Sequence, residues 1–207
     1  MSNGDNQLVE KLTKRVFEIS KKYDLSHIGS CVATLPALID IYEKKNKNDV
    51  VVLSNGHAGV AWYVVEEHFN GISAHESYKS MGVHPTFIKE GHFVKVSTGS
   101  LGMGITVACG LSASNPERTV YCTISDGECY EGAVYEALIY IKKYLFNLEI
   151  YFIYNEHSAT RYTRFDDIQE IAWFLNPRIA IFRHDSKLPW CYGIDSHYYK
   201  MKETDNA

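Results

Sequence analysis

The stretch Ser125-Asp126-Gly127-Glu128-Cys129-Tyr130-Glu131-Gly132, with Asn155 beyond it, decides the fold. Before it, Val120-Tyr121-Cys122-Thr123-Ile124 reads as a short buried strand. After it, 132–144 has helical spacing of apolar residues, and 148–154 is apolar enough for a second strand. A strand–turn–helix–strand unit of this length predicts a βαβ crossover. Right-handed crossover geometry brings Asp126 and Asn155 to the same sheet edge, where open parallel sheets bind ligands. A carboxylate and an amide meeting there beside a helix N-terminus suit a Mg²⁺ ion and a diphosphate. Taken singly, Asp126 and Gly127 are equally well a helix cap and a turn residue, and Asn155 another turn residue. Their joint spacing favours the metal–diphosphate reading.

Outward from this unit the α/β pattern continues. Leu8, Leu12, Val16 and Ile19 predict an amphipathic first helix. His27 to Cys31 reads as a turn, and Thr34-Leu35-Pro36 opens a second helix, with proline where its missing N–H costs little. The run 49–53 is a strand that Ser54-Asn55-Gly56-His57-Ala58 turns into a helix ending near His68. Residues 70–95 mix Gly, Ser, His and Pro and read as a long surface loop, a kind of segment that is usually functional. Ser97-Thr98-Gly99-Ser100-Leu101-Gly102-Met103-Gly104 is a glycine-rich turn into a small-residue helix over 105–112. A short helix around 168–174 and a β-like run over 178–182 follow the crossover. No repeat or linker intervenes, so one domain is expected over 1–207. Its class is α/β: a three-layer sandwich with a mostly parallel sheet flanked by helices.

Composition narrows the function classes. The chain is 45% hydrophobic and 22% charged, ordinary for a globular protein, and its net charge of −4 gives no support to nucleic-acid or membrane-surface binding. Five cysteines (Cys31, Cys109, Cys122, Cys129, Cys191) form no CxxC pair, which argues for thiols in a reducing cytoplasm. The first residues hold no apolar signal core, and no segment approaches a membrane span. A cytoplasmic location is expected.

Three histidines, His27, His57 and His84, fall in predicted turns with Gly or Pro close by. One such histidine is more often structural. Three at one sheet edge would form a polar pocket for an anionic or polyhydroxy substrate. His68, His75, His92, His184 and His197 lack that context and are read as structural, and no zinc-ligand spacing is present. The glycine run has neither the Rossmann order nor a Walker lysine, so close helix packing is its simplest explanation. Beside a diphosphate site, it would instead offer backbone to a cofactor ring.

These elements occur in the order found in the thiamine-diphosphate-binding half of transketolases. Ser26-His27-Ile28-Gly29 resembles that family's early G-H-P-G turn, and Ser54-Asn55-Gly56-His57-Ala58 its S-[NK]-G-H-[AG] segment. Val83-His84-Pro85 resembles its G-H-P turn, and the run 97–104 its S-T-G-S-L-G-Q-G. Asp126-Gly127-Glu128, Glu131-Gly132 and Glu136-Ala137 resemble G-D-G-E-x-x-E-G-x-x-x-E-A, and Asn147-Leu148 with Asn155 fits the end of that motif. The resemblance runs from about residue 10 to residue 160 and fades beyond, although the 197–200 stretch loosely resembles the end of that domain.

The resemblance implies the thiamine-diphosphate-binding fold, with thiamine diphosphate and Mg²⁺ as cofactors. Asp126 and Asn155 would bind Mg²⁺, with the main-chain carbonyl of His157 as third protein ligand. Gly127 and Glu128 would approach the diphosphate by backbone, Gly99 and Leu101 would contact the aminopyrimidine ring, and His57 would lie between diphosphate and substrate. Catalytic roles fall to His27, His57 and His84, for proton transfer and hydroxyl binding. Glu131 joins them as the glutamate that family members place at the subunit interface near the cofactors.

Several positions depart from the family pattern. Ser125 replaces the first glycine, Met103 a common glutamine, and His157 a common aliphatic residue, while 156–163 lacks the usual I-D-G. The chain also has no room for the pyrimidine-binding and C-terminal domains of a full transketolase. Those would come from a second subunit, with a homodimer core in a heterotetramer, and the pair would transfer a two-carbon ketol unit between sugars. One alternative is part of a decarboxylating, acyloin-forming enzyme that acts on a modified or nucleotide-linked sugar. The other is a non-catalytic scaffold subunit.

Overall fold

The computed structural model describes residues 3–88, 91–144, 147–155, 179–183, 188 and 197–205. Helices α1 (Asn3–Tyr23) and α2 (Ile28–Lys44) lead into strand β1 (Val50–Leu53), followed by α3 (Gly59–Asn70), α4 (Ala74–Met81) and α5 (Met103–Ser114). Strand β2 (Val120–Ser125), α6 (Gly132–Tyr144), β3 (Leu148–Tyr154) and β4 (Ile179–Arg183) complete the described elements. The four strands lie side by side in chain order, and every pairing is parallel. The βαβ unit falls where the periodicity places it, with α6 over 132–144 and β3 over 148–154. The expected helix around 168–174 lies outside the described residues.

Period-2 alternation sorts the strand side chains into two layers. Val51, Leu53, Tyr121, Tyr151 and Ile153 pack with α1, α2 and α3 on one face. Val50, Val52, Val120, Cys122, Ile124, Ile150 and Phe152 pack with α5 and α6 on the other. Strands covered on both faces read as continuous apolar runs, which is why VVVL and VYCTIS contain so few polar residues. The four cysteines among the described residues follow the same division. Cys31 is buried in the first layer, and Cys109, Cys122 and Cys129 in the second. Among the described residues no helix is long and apolar enough to cross a membrane.

Two local expectations need correcting. Residues 70–95 are not one loop, because α4 lies within them. Ser73 caps it by accepting a hydrogen bond from the Glu76 N–H, Gly82 ends it at φ 76°, and Ala74, Ser77 and Met81 form its buried face. The S-x-x-E start is a helix signal, but the surrounding Gly and His mask it. Helix α2 begins at Ile28, earlier than the proline signal, and Pro36 lies in its interior. An interior proline costs about 3 kcal/mol. Thirteen of the 17 residues of α2 are buried, and that packing outweighs the loss.

Helix α5 meets the sheet at very close range. A Cβ added to Gly104 would sit 2.5 Å from the Ser54 Cα, at the carboxyl end of β1. The backbone cannot yield there as a flexible side chain would. Gly104→Ala is expected to destabilise the protein by about 1–3 kcal/mol, read as a lower urea midpoint at unchanged slope.

Candidate active site

Asp126 is the first residue after β2, and Asn155 the first after β3. These strands pair in parallel with Ser125 level with Ile153, so both side chains step off neighbouring strands at one carboxyl edge. Asp126 is buried, and its Oδ1 accepts the Gly127 N–H at 2.8 Å. The 126–130 segment turns in a short 3-10 helix before α6 begins. His157 lies outside the described residues, and among those described no group of three His, Cys, Asp or Glu is placed to hold a metal.

The Glu128 side chain is fully buried and ties three segments together. Its Oε1 accepts from Ser54 Oγ at 2.5 Å and from the Gly102 N–H at 3.0 Å. Its Oε2 accepts from the Ser125 N–H at 2.9 Å and from Ser125 Oγ at 3.3 Å. Burial pushes this carboxyl upward in pKa, while the four donors pull the other way. Ser125 is therefore accommodated, and its hydroxyl adds a donor that glycine could not supply. Gly102 has φ 78°, a left-handed conformation that favours glycine, and a Cβ there would stand 2.7 Å from the Glu131 Cβ. Glu131 itself is half-buried at the start of α6.

Asn55 locks the next turn from within. Its Nδ2 donates to Thr34 Oγ1 at 3.0 Å, and its Oδ1 accepts from Thr123 Oγ1 at 2.6 Å. Beyond it, Gly56 lies so close to the glycine-rich turn that a Cβ would fall 2.7 Å from Thr98 Oγ1 and 2.9 Å from the Gly99 N. The Thr98 hydroxyl is enclosed there and has no hydrogen-bond partner among the described residues.

The histidines come together. The ring centroids of His27 and His57 are 5.4 Å apart, and the His84 ring lies 3.2 Å from where a Gly99 Cβ would be. His197 belongs to the same group, although the sequence reading leaves it among the structural histidines. Its Nε2 is 2.9 Å from His27 Nε2, with ring centroids 4.0 Å apart. His27 Nδ1 in turn lies 2.8 Å from Ser26 Oγ. No spacing rule could have found His197, which reaches the cluster only through the tertiary fold. A run of contacts thus joins the Asp126 turn to the histidines through Glu128, Ser54 and Gly56.

Comparison with known proteins gives a consistent result. No protein-family model matches. The chain is 35% identical over 149 residues to one of the subunits of the apulose-4-phosphate transketolase of Phocaeicola vulgatus, covering 62% of this chain and 52% of that protein. It is 37% identical over 139 residues to transketolase-like protein 2 of Mus musculus, covering 57% of this chain and 22% of the other. Among solved structures, a variant transketolase from Pichia stipitis superposes with a TM-score of 0.64 at 18% identity, over 89% of this chain and 36% of that one.

The chain is a transketolase homologue.

Its α/β sandwich is the thiamine-diphosphate-binding fold of transketolases. The homologue spans about half the length of the Phocaeicola relative and about a fifth of the murine one.

Burial, together with the neighbouring imidazoles, holds two histidines of this transketolase homologue neutral. His27 is lowered to about 4 by burial, then by His197 and His84, and His57 to about 3 by burial, then by His27, His197 and His84. Both folded values lie below the unfolded value of about 6.5, so the unfolded chain binds more protons between them. The stability they protect is fully present above about pH 6.5 and is lost as pH falls toward 4 and then 3. Each histidine contributes at most about 1.4 kcal/mol per pH unit to that slope. Urea unfolding across this range should show the acid limb, and His57→Gln should flatten it.

Proposed function

We propose that this transketolase homologue is the diphosphate-binding subunit of a split, thiamine-diphosphate-dependent enzyme that transfers a two-carbon ketol unit between sugars. The whole chain is read as one domain serving that role. The observation that carries the reading is the contact path from the Asp126 turn to the histidine cluster, all at the sheet edge where parallel folds bind ligands. The Phocaeicola relative is by name one subunit of its enzyme, which supports a partner chain here too.

The residues present fit the cofactor. Asp126 and Asn155 offer hard oxygen donors of the kind Mg²⁺ requires. The enclosed Thr98 hydroxyl and the adjoining Gly99 backbone leave polar groups for a ring to engage. When bound, thiamine diphosphate supplies the carbon–carbon bond chemistry. Asp126 and Asn155 would hold the metal, with the His157 carbonyl as third ligand, and Gly127 and Glu128 would face the diphosphate by main chain. Gly99 and Leu101 would border the aminopyrimidine ring. His27, His57 and His84 would bind substrate hydroxyls and hold or pass protons there, with His27 and His57 kept neutral by burial, and Glu131 would act at the subunit boundary.

Exposed apolar side chains support an assembly. Eight of the twelve exposed large hydrophobics among the described residues lie within 101–144, including Leu101, Met103 and Val107 near α5 and Tyr130, Tyr135 and Ile139 near α6. A monomer rarely exposes so many large apolar side chains on and around two neighbouring helices. This face suits contact with another chain, with Glu131 close to it.

A mixing assay tests the reading. The chain should be inactive alone with thiamine diphosphate and Mg²⁺, and should transfer a ketol unit from a ketose phosphate to an aldose phosphate once a chain carrying the pyrimidine-binding domain is added. Turnover by the chain alone would rule out the split arrangement. Release of CO₂ from a 2-oxo acid donor would replace ketol transfer with the decarboxylating reaction.

A further inference from the structure

Among the described residues, only Asp24 and His27 combine a side chain with positive φ, at 53° and 62°. Both lie in the turn between α1 and α2. A side chain in this left-handed region is disfavoured and persists only where its surroundings over-determine it. Both strained residues are gripped by one distant segment, 197–205. Lys200 forms an ion pair with Asp24, and His197 meets His27.

Further contacts join these two in seating the segment. Asp205 is buried, and its Oδ2 accepts the Lys202 N–H at 2.7 Å and the Tyr199 hydroxyl at 2.8 Å. The Asp205 N–H returns to the Lys202 carbonyl at 3.1 Å, closing a tight turn. Lys21, at the end of α1, donates to the Asp205 carbonyl at 2.8 Å, and Met201 packs on the core. The turn is thus a plug seated on the end of α1, with one arm to each strained residue.

We infer that segment 199–205 is the positioning element of the histidine cluster, and that Lys200 and Asp205 act through it to hold His197 against His27 and His27 in its left-handed conformation. Its consequence for turnover rests on the reading proposed above, but the placement itself does not. Lys200 and Asp205 are positioning residues, since neither touches the cluster. The groups facing His27 are Ser26, His57, His84 and His197.

The test follows the imidazole nitrogens of His27 by NMR across pH in the full chain without cofactor, so its outcome is independent of whether thiamine diphosphate binds. In Lys200→Ala/Asp205→Ala, withdrawal of His197 should open the cluster, and the His27 midpoint should rise by one pH unit or more from about 4 toward 6.5. His197→Ala should raise it likewise, and Lys200→Arg with Asp205 intact should keep the low midpoint. A folded double variant whose His27 titration and nitrogen shifts match the parent would overturn the inference, because a purely stabilising plug lowers the melting temperature without moving His27. Should the double variant fail to fold, Lys200→Ala alone removes an exposed pair. A rise at His27 in that variant supports the inference, and no change overturns it.

Discussion

Asp126→Ala should weaken Mg²⁺-dependent binding of thiamine diphosphate by more than about a hundredfold, while leaving the chain folded. The two halves of that expectation have different physical origins. For the fold, the side chain accepts a hydrogen bond from the adjacent Gly127 N–H, and loss of such a bond costs about 1 kcal/mol. For the metal, the carboxylate is the charged member of the proposed donor set, and a neutral amide and a carbonyl cannot replace its charge. Asn155→Ala removes only a neutral oxygen and should cost about tenfold. Calorimetry with Mg²⁺ and the partner chain present measures both, with circular dichroism as the check on folding. Unchanged affinity in Asp126→Ala would remove the metal site from this sheet edge.

The second large effect lies beneath the site. Glu128→Ala should destabilise the protein by about 3 kcal/mol or more, because Ser54 Oγ, the Gly102 N–H and the Ser125 N–H would each lose a buried acceptor at about 1–3 kcal/mol apiece. Removing a buried carboxylate returns part of its desolvation cost, but not that of several stranded donors. Glu128→Gln should lose less, about 1–2 kcal/mol, since one oxygen still accepts while the new amide NH₂ faces donors. Urea unfolding gives both values. A loss below about 1 kcal/mol in Glu128→Ala would mean that the three segments hold one another without it. The variant should also loosen the glycine-rich turn, whose Gly102 it anchors.

Much of this was legible in the residues. The crossover announced itself through an apolar strand, a turn, a helical run and a second apolar strand, and its elements lie where those signals place them. The placement of Asp126 and Asn155 at one edge followed from the crossover connection, which makes the two strands parallel. What stayed hidden depends on tertiary contact. Glu128 reads as one acidic residue in a motif, and nothing local reveals that Ser54 and Gly102 converge on its side chain. His197 carries no turn signal of its own and acquires a role only because the fold returns it to His27. Pro36 misled in the opposite direction, since a local penalty was overruled by burial.

The two-sided distribution of cysteines gives the molecule its own stopwatch. Burial drives the thiols on the α5–α6 side far from their reactive form, Cys109 to about 11, Cys129 to about 12 and Cys122 well upward. An alkylating reagent can reach them only when that layer opens, whereas Cys31 reports on the opposite layer beneath α1 and α2. Comparing labelling rates residue by residue would show whether the two helical layers peel from the sheet together or in sequence.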